Sequence, residues 1–161
     1  MKFILFTLLL ASILFAKIYT FNDIYEKEVA MDLQNEAITL KGNEGKFLLL
    51  AFWGINCPPC LEEIPLFIDI QKKYSDKISI VAIHAQNLIG VDVARKFVQN
   101  QGINYTVVDT LGAYAFINDL QKATGWGGFI PFSILLAPNG DFIKYLTNHI
   151  NEEELLKTIN Q

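Results

Sequence analysis

The chain has 161 residues, 52% of them hydrophobic, with 17 acidic residues against 13 Lys and Arg and a formal charge of −4. That length and apolar content suit one domain with a packed core, and a mildly acidic chain without basic clusters gives no support for nucleic-acid binding. Its two cysteines sit almost side by side at Cys57 and Cys60, so none is left for the spread-out staples that small exported domains often use.

Met1-Lys2 is followed by an apolar run from Phe3 to Ala16, interrupted only by Thr7 and Ser12, and then by Lys17. A basic start, a stretch short for a membrane span and a small residue at a cleavage point describe a signal peptide over 1–16. Leu14, three back from the cut, is a weak processing residue, so an N-terminal anchor through residues 3–16 is the alternative. Either way the sequence predicts an exported, periplasmic domain over 17–161, whose charge without Lys2 is −4 − 1 = −5.

From Lys17 to Glu36 the residues Phe21, Ile24, Val29 and Leu33 are spaced irregularly, which predicts an arm laid over the core. Ala37 to Leu40 alternates as a short strand, and Lys41 to Gly45 is a turn by composition. Lys46 to Trp53 is apolar without alternation, as in a strand covered on both faces. A helix follows from Cys57 to about Tyr74, with an apolar stripe at Ile64, Phe67, Ile68 and Ile70 and a kink expected at Pro65. Ile78 to Ile83 reads as a strand, Val91 to Gln101 as a helix closed by Gly102, Tyr105 to Val108 as a strand and Tyr114 to Ala123 as a helix. Phe132 to Leu136 and Phe142 to Leu146 form a hairpin around Asn139-Gly140, and Asn151 caps a last helix reaching Ile159. The order β-α-β-α-β-α-β-β-α predicts an α/β fold, a central mixed sheet flanked by helices.

The chemistry lies in Cys57-Pro58-Pro59-Cys60. Two cysteines three apart at a helix start bring both sulfurs to one side, close enough for a disulfide, and the prolines fix the helix start because a first-turn proline loses no hydrogen bond. Cys57 then falls at or beside the N-cap, where the helix dipole favours its thiolate, and acts as nucleophile; Cys60, deeper, resolves the mixed disulfide. A static bridge is the bland alternative, but closing so short a loop removes little unfolded-state entropy. Haem attachment would need His after Cys60, where Leu61 stands. A metal-binding carrier would draw on His84 or His149, both far along the chain, and no metal or other cofactor is expected. The single-cysteine loop context of a peroxidase is not seen.

Phe52-Trp53, then Cys57-Pro58-Pro59-Cys60, Glu63 and Pro65, resemble the thioredoxin superfamily and within it the exported TlpA/ResA-like thiol-disulfide oxidoreductases. The resemblance runs from about residue 37 to 160. It implies a thioredoxin-like fold, a redox disulfide Cys57-Cys60, and a substrate-binding loop in which Pro131 follows Ile130 through a cis bond and lies against the disulfide, with Trp53 packing beside the site. Where thioredoxins proper carry a buried Asp, this chain has Ala51. Glu63, one turn beyond Cys60, resembles the family's Glu that takes the proton Cys60 must lose; a solvated carboxylate like Glu62 is the bland alternative. Asn56 replaces the family's usual Trp, which alters the surface offered to partners.

Pro58 and Pro59 remove two N–H donors, no Lys, Arg or His lies between Trp53 and Gln71, and Glu62 and Glu63 add negative charge. That balance favours a reductant over a disulfide-introducing oxidase, since stabilising the thiolate is what makes a disulfide oxidising. The resemblance implies a membrane thiol electron donor, and exported protein thiols or disulfides such as those of apocytochrome c as partners, hence a role in cytochrome c maturation. The segment Gly125 to Ile130 is a further contact candidate, with Trp126 and Phe129 either forming an apolar rim or folding into the core.

Overall fold

A computed structural model describes residues 17–34, 37–147 and 150–160. The segment 1–16, expected to be a signal peptide or anchor, and His149 lie outside the described residues. Among the described residues no helix is long and apolar enough to cross a membrane.

The element order is β1 (Lys17–Asn22), β2 (Glu28–Gln34), β3 (Ala37–Leu40), β4 (Phe47–Trp53), α1 (Pro58–Lys73), β5 (Ile78–His84), α2 (Val91–Gln101), β6 (Thr106–Val108), α3 (Thr110–Thr124), β7 (Phe132–Leu136), β8 (Phe142–Thr147) and α4 (Glu152–Ile159). Five strands form a mixed sheet in the order β6-β5-β4-β7-β8. β4 is parallel to β5 and antiparallel to β7. Both faces of β4 are covered: Leu48, Leu50 and Phe52 enter one core, and Leu49, Ala51 and Trp53 the other. This explains the unbroken apolar run, because alternate residues of a strand point to opposite faces.

The second core is closed by α1, α2 and α4 through Ile64, Phe67, Ile70, Ala94, Val98, Leu155 and Ile159. Pro65 sits inside α1 and offers no N–H to the Leu61 carbonyl, yet the helix runs on to Lys73. The first core is closed by α3 and by a separate antiparallel sheet, β1-β2-β3. Here the expectation of an irregular arm over Lys17 to Glu36 is corrected. Tyr19 and Phe21 on β1, and Val29 and Met31 on β2, are buried at alternate positions, a period of two that covers the core as a sheet does. The turn between them is built by Asp23, whose Oδ1 accepts from the Tyr25 and Lys27 N–H groups at 2.8 and 2.9 Å. β3 belongs to this sheet, and its Ile38 N–H donates to the Gly140 carbonyl at 2.9 Å. Gly140 has φ of 89°, and a Cβ there would lie 2.8 Å from the Ile38 oxygen, so this hairpin tip requires glycine.

α3 starts four residues earlier than the periodicity suggests, since Asp109 caps it by accepting from Gly112 N–H at 2.7 Å. Asn151 caps α4 through Glu154 N–H at 3.0 Å.

Candidate redox site

β4 delivers the chain to α1 through the short loop Gly54-Ile55-Asn56, and Cys57 is the N-cap residue. Cys57 and Cys60 are joined in a disulfide with Cα atoms 5.2 Å apart. The Leu61 N–H donates to the Cys57 carbonyl at 3.1 Å, closing the first turn that Pro58 and Pro59 cannot bond. Both cysteines are largely covered, Cys57 6% and Cys60 3% exposed, so the gradient from outer to inner sulfur is slight.

The neighbouring glutamates part company. Glu62 is exposed, whereas Glu63 is buried, 4% exposed, and points into the core that holds the cysteines. Ala51, Cys60, Glu63 and Tyr105 line a cavity of about 10 Å³ that also touches Phe52, Trp53, Ile64, Phe67 and Ala82, the space of a single water molecule. Loss of solvation there pushes the Glu63 pKa up to about 7, against the pull of a hydrogen bond from the Ile150 main chain. Burial, and then the charge of Glu63, raise the Tyr105 hydroxyl above its usual range. The small side chain of Ala51 lines the same space, so a carboxylate from the helix occupies the neighbourhood of the inner sulfur.

Trp53 packs behind the disulfide, 7% exposed, edge-on to His84 at 5.6 Å between ring centres and tilted on Phe97 at 5.4 Å. The Ile130-Pro131 peptide bond is cis. Ile130 is half-buried and packs against the cluster containing both cysteines. Of the aromatics just before it, Trp126 is folded inward, stacked on Phe132 at 4.9 Å, with its indole N–H donating to the Phe129 carbonyl at 2.8 Å; Phe129 itself is 55% exposed. The rim is therefore Phe129 without Trp126.

Among the described residues no group of three or more His, Cys, Asp or Glu side chains could hold a metal ion. Both ring nitrogens of His84 are already engaged, Nε2 by Ile55 N–H and Nδ1 by the Thr110 hydroxyl oxygen. In the sequence His84 reads only as a metal ligand, and Gln86, Thr110 and Tyr105 carry no signal of a site. These reach the site from strand ends and loops some 30 or more residues away in the chain, which no local spacing reveals.

The AhpC/TSA family model matches residues 22–146. Thiol-disulfide oxidoreductase ResA of Bacillus anthracis is 31% identical over 131 residues, covering 79% of this chain and 69% of that protein. The protein of the same name from Halalkalibacterium halodurans is 32% identical over 127 residues, covering 78% and 67%. The crystal structure of StoA from Bacillus subtilis shares the fold, with a TM-score of 0.66 at 21% identity over 92% of this chain and 99% of that one. A paired Cys57-Cys60 at a helix start on this fold accords with those relatives, and the chain belongs to the AhpC/TSA family as a thioredoxin-like thiol-disulfide oxidoreductase of the ResA kind.

Proposed function

We propose that the protein is exported, its segment 1–16 serving as signal peptide or anchor, and that it reduces disulfides of exported proteins such as apocytochrome c. The observation that carries this reading is the Cys57-Cys60 pair at the N-terminus of α1 with the buried Glu63 on the same small cavity as Cys60.

The Cys57 thiolate attacks one sulfur of the substrate disulfide, forming a mixed disulfide and releasing the other substrate sulfur as a thiolate. Glu63 takes the proton of Cys60, directly or through one water, and the Cys60 thiolate then attacks Cys57 Sγ. The second substrate thiolate leaves, and the electron pair lost by Cys57 and Cys60 has moved to the substrate as their disulfide closes. A pKa near 7 suits a group that must accept and return a proton near neutrality. A membrane thiol donor restores the dithiol, because an oxidising compartment otherwise holds the pair as a disulfide.

The incoming segment binds along the Ile130 and Pro131 main chain, with Phe129 as its apolar neighbour and Trp53 supporting the disulfide from behind. Two features favour a reductant. Pro58 and Pro59 give the Cys57 thiolate no N–H donors, and no cationic side chain lies between Trp53 and Gln71.

Trapping tests the assignment. The reduced Cys60→Ser variant, mixed with a disulfide-bonded apocytochrome c peptide carrying a Cys-x-x-Cys-His motif, should accumulate a mixed disulfide at Cys57 that mass mapping locates. Accumulation at Cys60 in the mirror variant Cys57→Ser, with none at Cys57, would reverse the roles.

A further inference from the structure

Beyond Trp53 the sheet ladder stops and side chains take its place. β4 and β5 run in register to Trp53 opposite His84, and the main-chain bonding continues with Ala85 N–H donating to the Trp53 carbonyl at 2.8 Å. Past it, Ile55 N–H donates to His84 Nε2 at 3.3 Å. Asn56 N–H donates to Gln86 Oε1 at 3.0 Å, and Gln86 Nε2 donates to the Asn56 carbonyl at 3.2 Å. One side-chain amide thus makes both bonds that a neighbouring strand would make.

The neighbours of His84 also fix its tautomer. The Thr110 hydroxyl donates its one proton to the His84 carbonyl at 2.6 Å, so its oxygen is left to accept from Nδ1–H at 3.2 Å, and Nε2 presents a lone pair to Ile55. At 1% exposure burial pushes the ring's pKa down, against the smaller opposing pulls of an Asn87 backbone hydrogen bond and the Asp109 charge. Gly54 makes room for the arrangement: a Cβ there would lie 2.4 Å from Gln86 Oε1.

We propose that His84 and Gln86 are positioning residues that set the Cys57 sulfur over the start of α1. The inference rests on Cys57 being the attacking thiol. Of the first three residues of α1, Pro58, Pro59 and Cys60, only the last carries an N–H, so the field felt by a Cys57 thiolate depends on the angle at which the residue leaves the loop. In the oxidised protein the bond to Cys60 holds Cys57 in place. Once that bond opens, Cys57 keeps its own main-chain bonds, its N–H to the Gly54 carbonyl at 3.3 Å and its carbonyl from the Leu61 N–H, and the clamp on Ile55 and Asn56 holds the loop from which it leaves.

The test uses the reduced protein and two variants, Gln86→Met, which keeps the bulk and loses both bonds, and His84→Phe, which loses the acceptor for Ile55. Cys57 is titrated by thiolate absorbance and by iodoacetamide alkylation resolved by mass. Gln86→Met should raise the Cys57 pKa by about one unit and slow alkylation up to about tenfold below it, the two proteins converging at higher pH. A fall in melting temperature with an unmoved Cys57 titration would make the clamp purely structural and overturn the proposal. Because His84 is buried and its variant can fail to fold, the half-buried Gln86 carries the decision. Alkylation falling on Cys60 in the unsubstituted protein would overturn the assignment of Cys57 and this inference together, whereas a reactive Cys57 indifferent to Gln86→Met overturns the clamp alone.

Discussion

The two sheets of this molecule are built differently and do different work. The three-stranded sheet from Lys17 to Leu40 is antiparallel and buries Tyr19, Phe21, Val29, Met31 and Ile38 against one face of the central sheet. The central sheet instead ends its parallel strands β4 and β5 together, and from that end hang the disulfide, the clamped loop and the buried carboxyl. Burial in the first region is mainly hydrocarbon against hydrocarbon, with the Tyr19 hydroxyl donating to Asp119 at 2.8 Å at its edge. In the second it includes Glu63 and His84, polar groups whose burial costs free energy and changes their protonation. Stability and chemistry should therefore separate when the two regions are perturbed.

The largest separation comes from the cysteines. Cys57→Ser should reduce disulfide exchange to the uncatalysed rate, read with a fluorescent disulfide substrate, while its stability in thermal unfolding falls below that of the oxidised unsubstituted protein by no more than about 2 kcal/mol, the entropy of so short a loop. Met31→Ala reverses the pattern. Met31 is fully buried in the three-stranded sheet, so denaturant unfolding should show a loss of about 2 to 5 kcal/mol, with exchange activity per folded molecule unchanged. Impaired exchange in folded Met31→Ala would tie the cover to the chemistry.

Glu63→Gln sharpens the comparison further, since here one residue carries both a cost and a function. Burial raises the folded-state pKa from the usual 4.5 to about 7. The favourable contribution of the protonated carboxyl is complete below about pH 4.5 and is lost as pH rises through about 7. The gap corresponds to a free energy on the order of 3 kcal/mol. Glutamine should flatten that part of the stability profile in denaturant titrations and leave the variant relatively more stable above neutrality. The same substitution should slow exchange up to about a hundredfold and remove the rise in rate with pH that the free carboxylate provides. An unaltered rate profile would leave Glu63 as a buried structural carboxyl.

Much of the redox end can be seen in the chain itself. An unbroken apolar run leading to two prolines between two cysteines states the strand, the helix start and the disulfide in local terms, and Cys57 is indeed the N-cap. Ala37 to Leu40 is legible as a strand of the three-stranded sheet, but β1 and β2 are not, because Ile24 breaks the period of two that Tyr19, Phe21, Val29, Met31 and Leu33 keep, and because the turn at Asp23 has no glycine to mark it. Glu62 and Glu63 differ by one helical step, and only the packing of Tyr105 and Ile150 around that helix face decides which is buried. The bonds of Gln86 to Asn56 bridge residues 30 apart and depend on where two strands end, information that no window of sequence contains.

The reduction potential of the Cys57-Cys60 pair, measured in residues 17–161 by equilibration with defined thiol and disulfide ratios, tests the proposed direction of electron flow most directly. A value near that of thioredoxin, about −270 mV, is what the two prolines and the missing cations predict, and it would point to a membrane donor feeding an exported reductant. A value towards the strongly oxidising end, about −120 mV, would contradict the account: the field of α1 would then outweigh the prolines and Glu63, and the protein would insert disulfides.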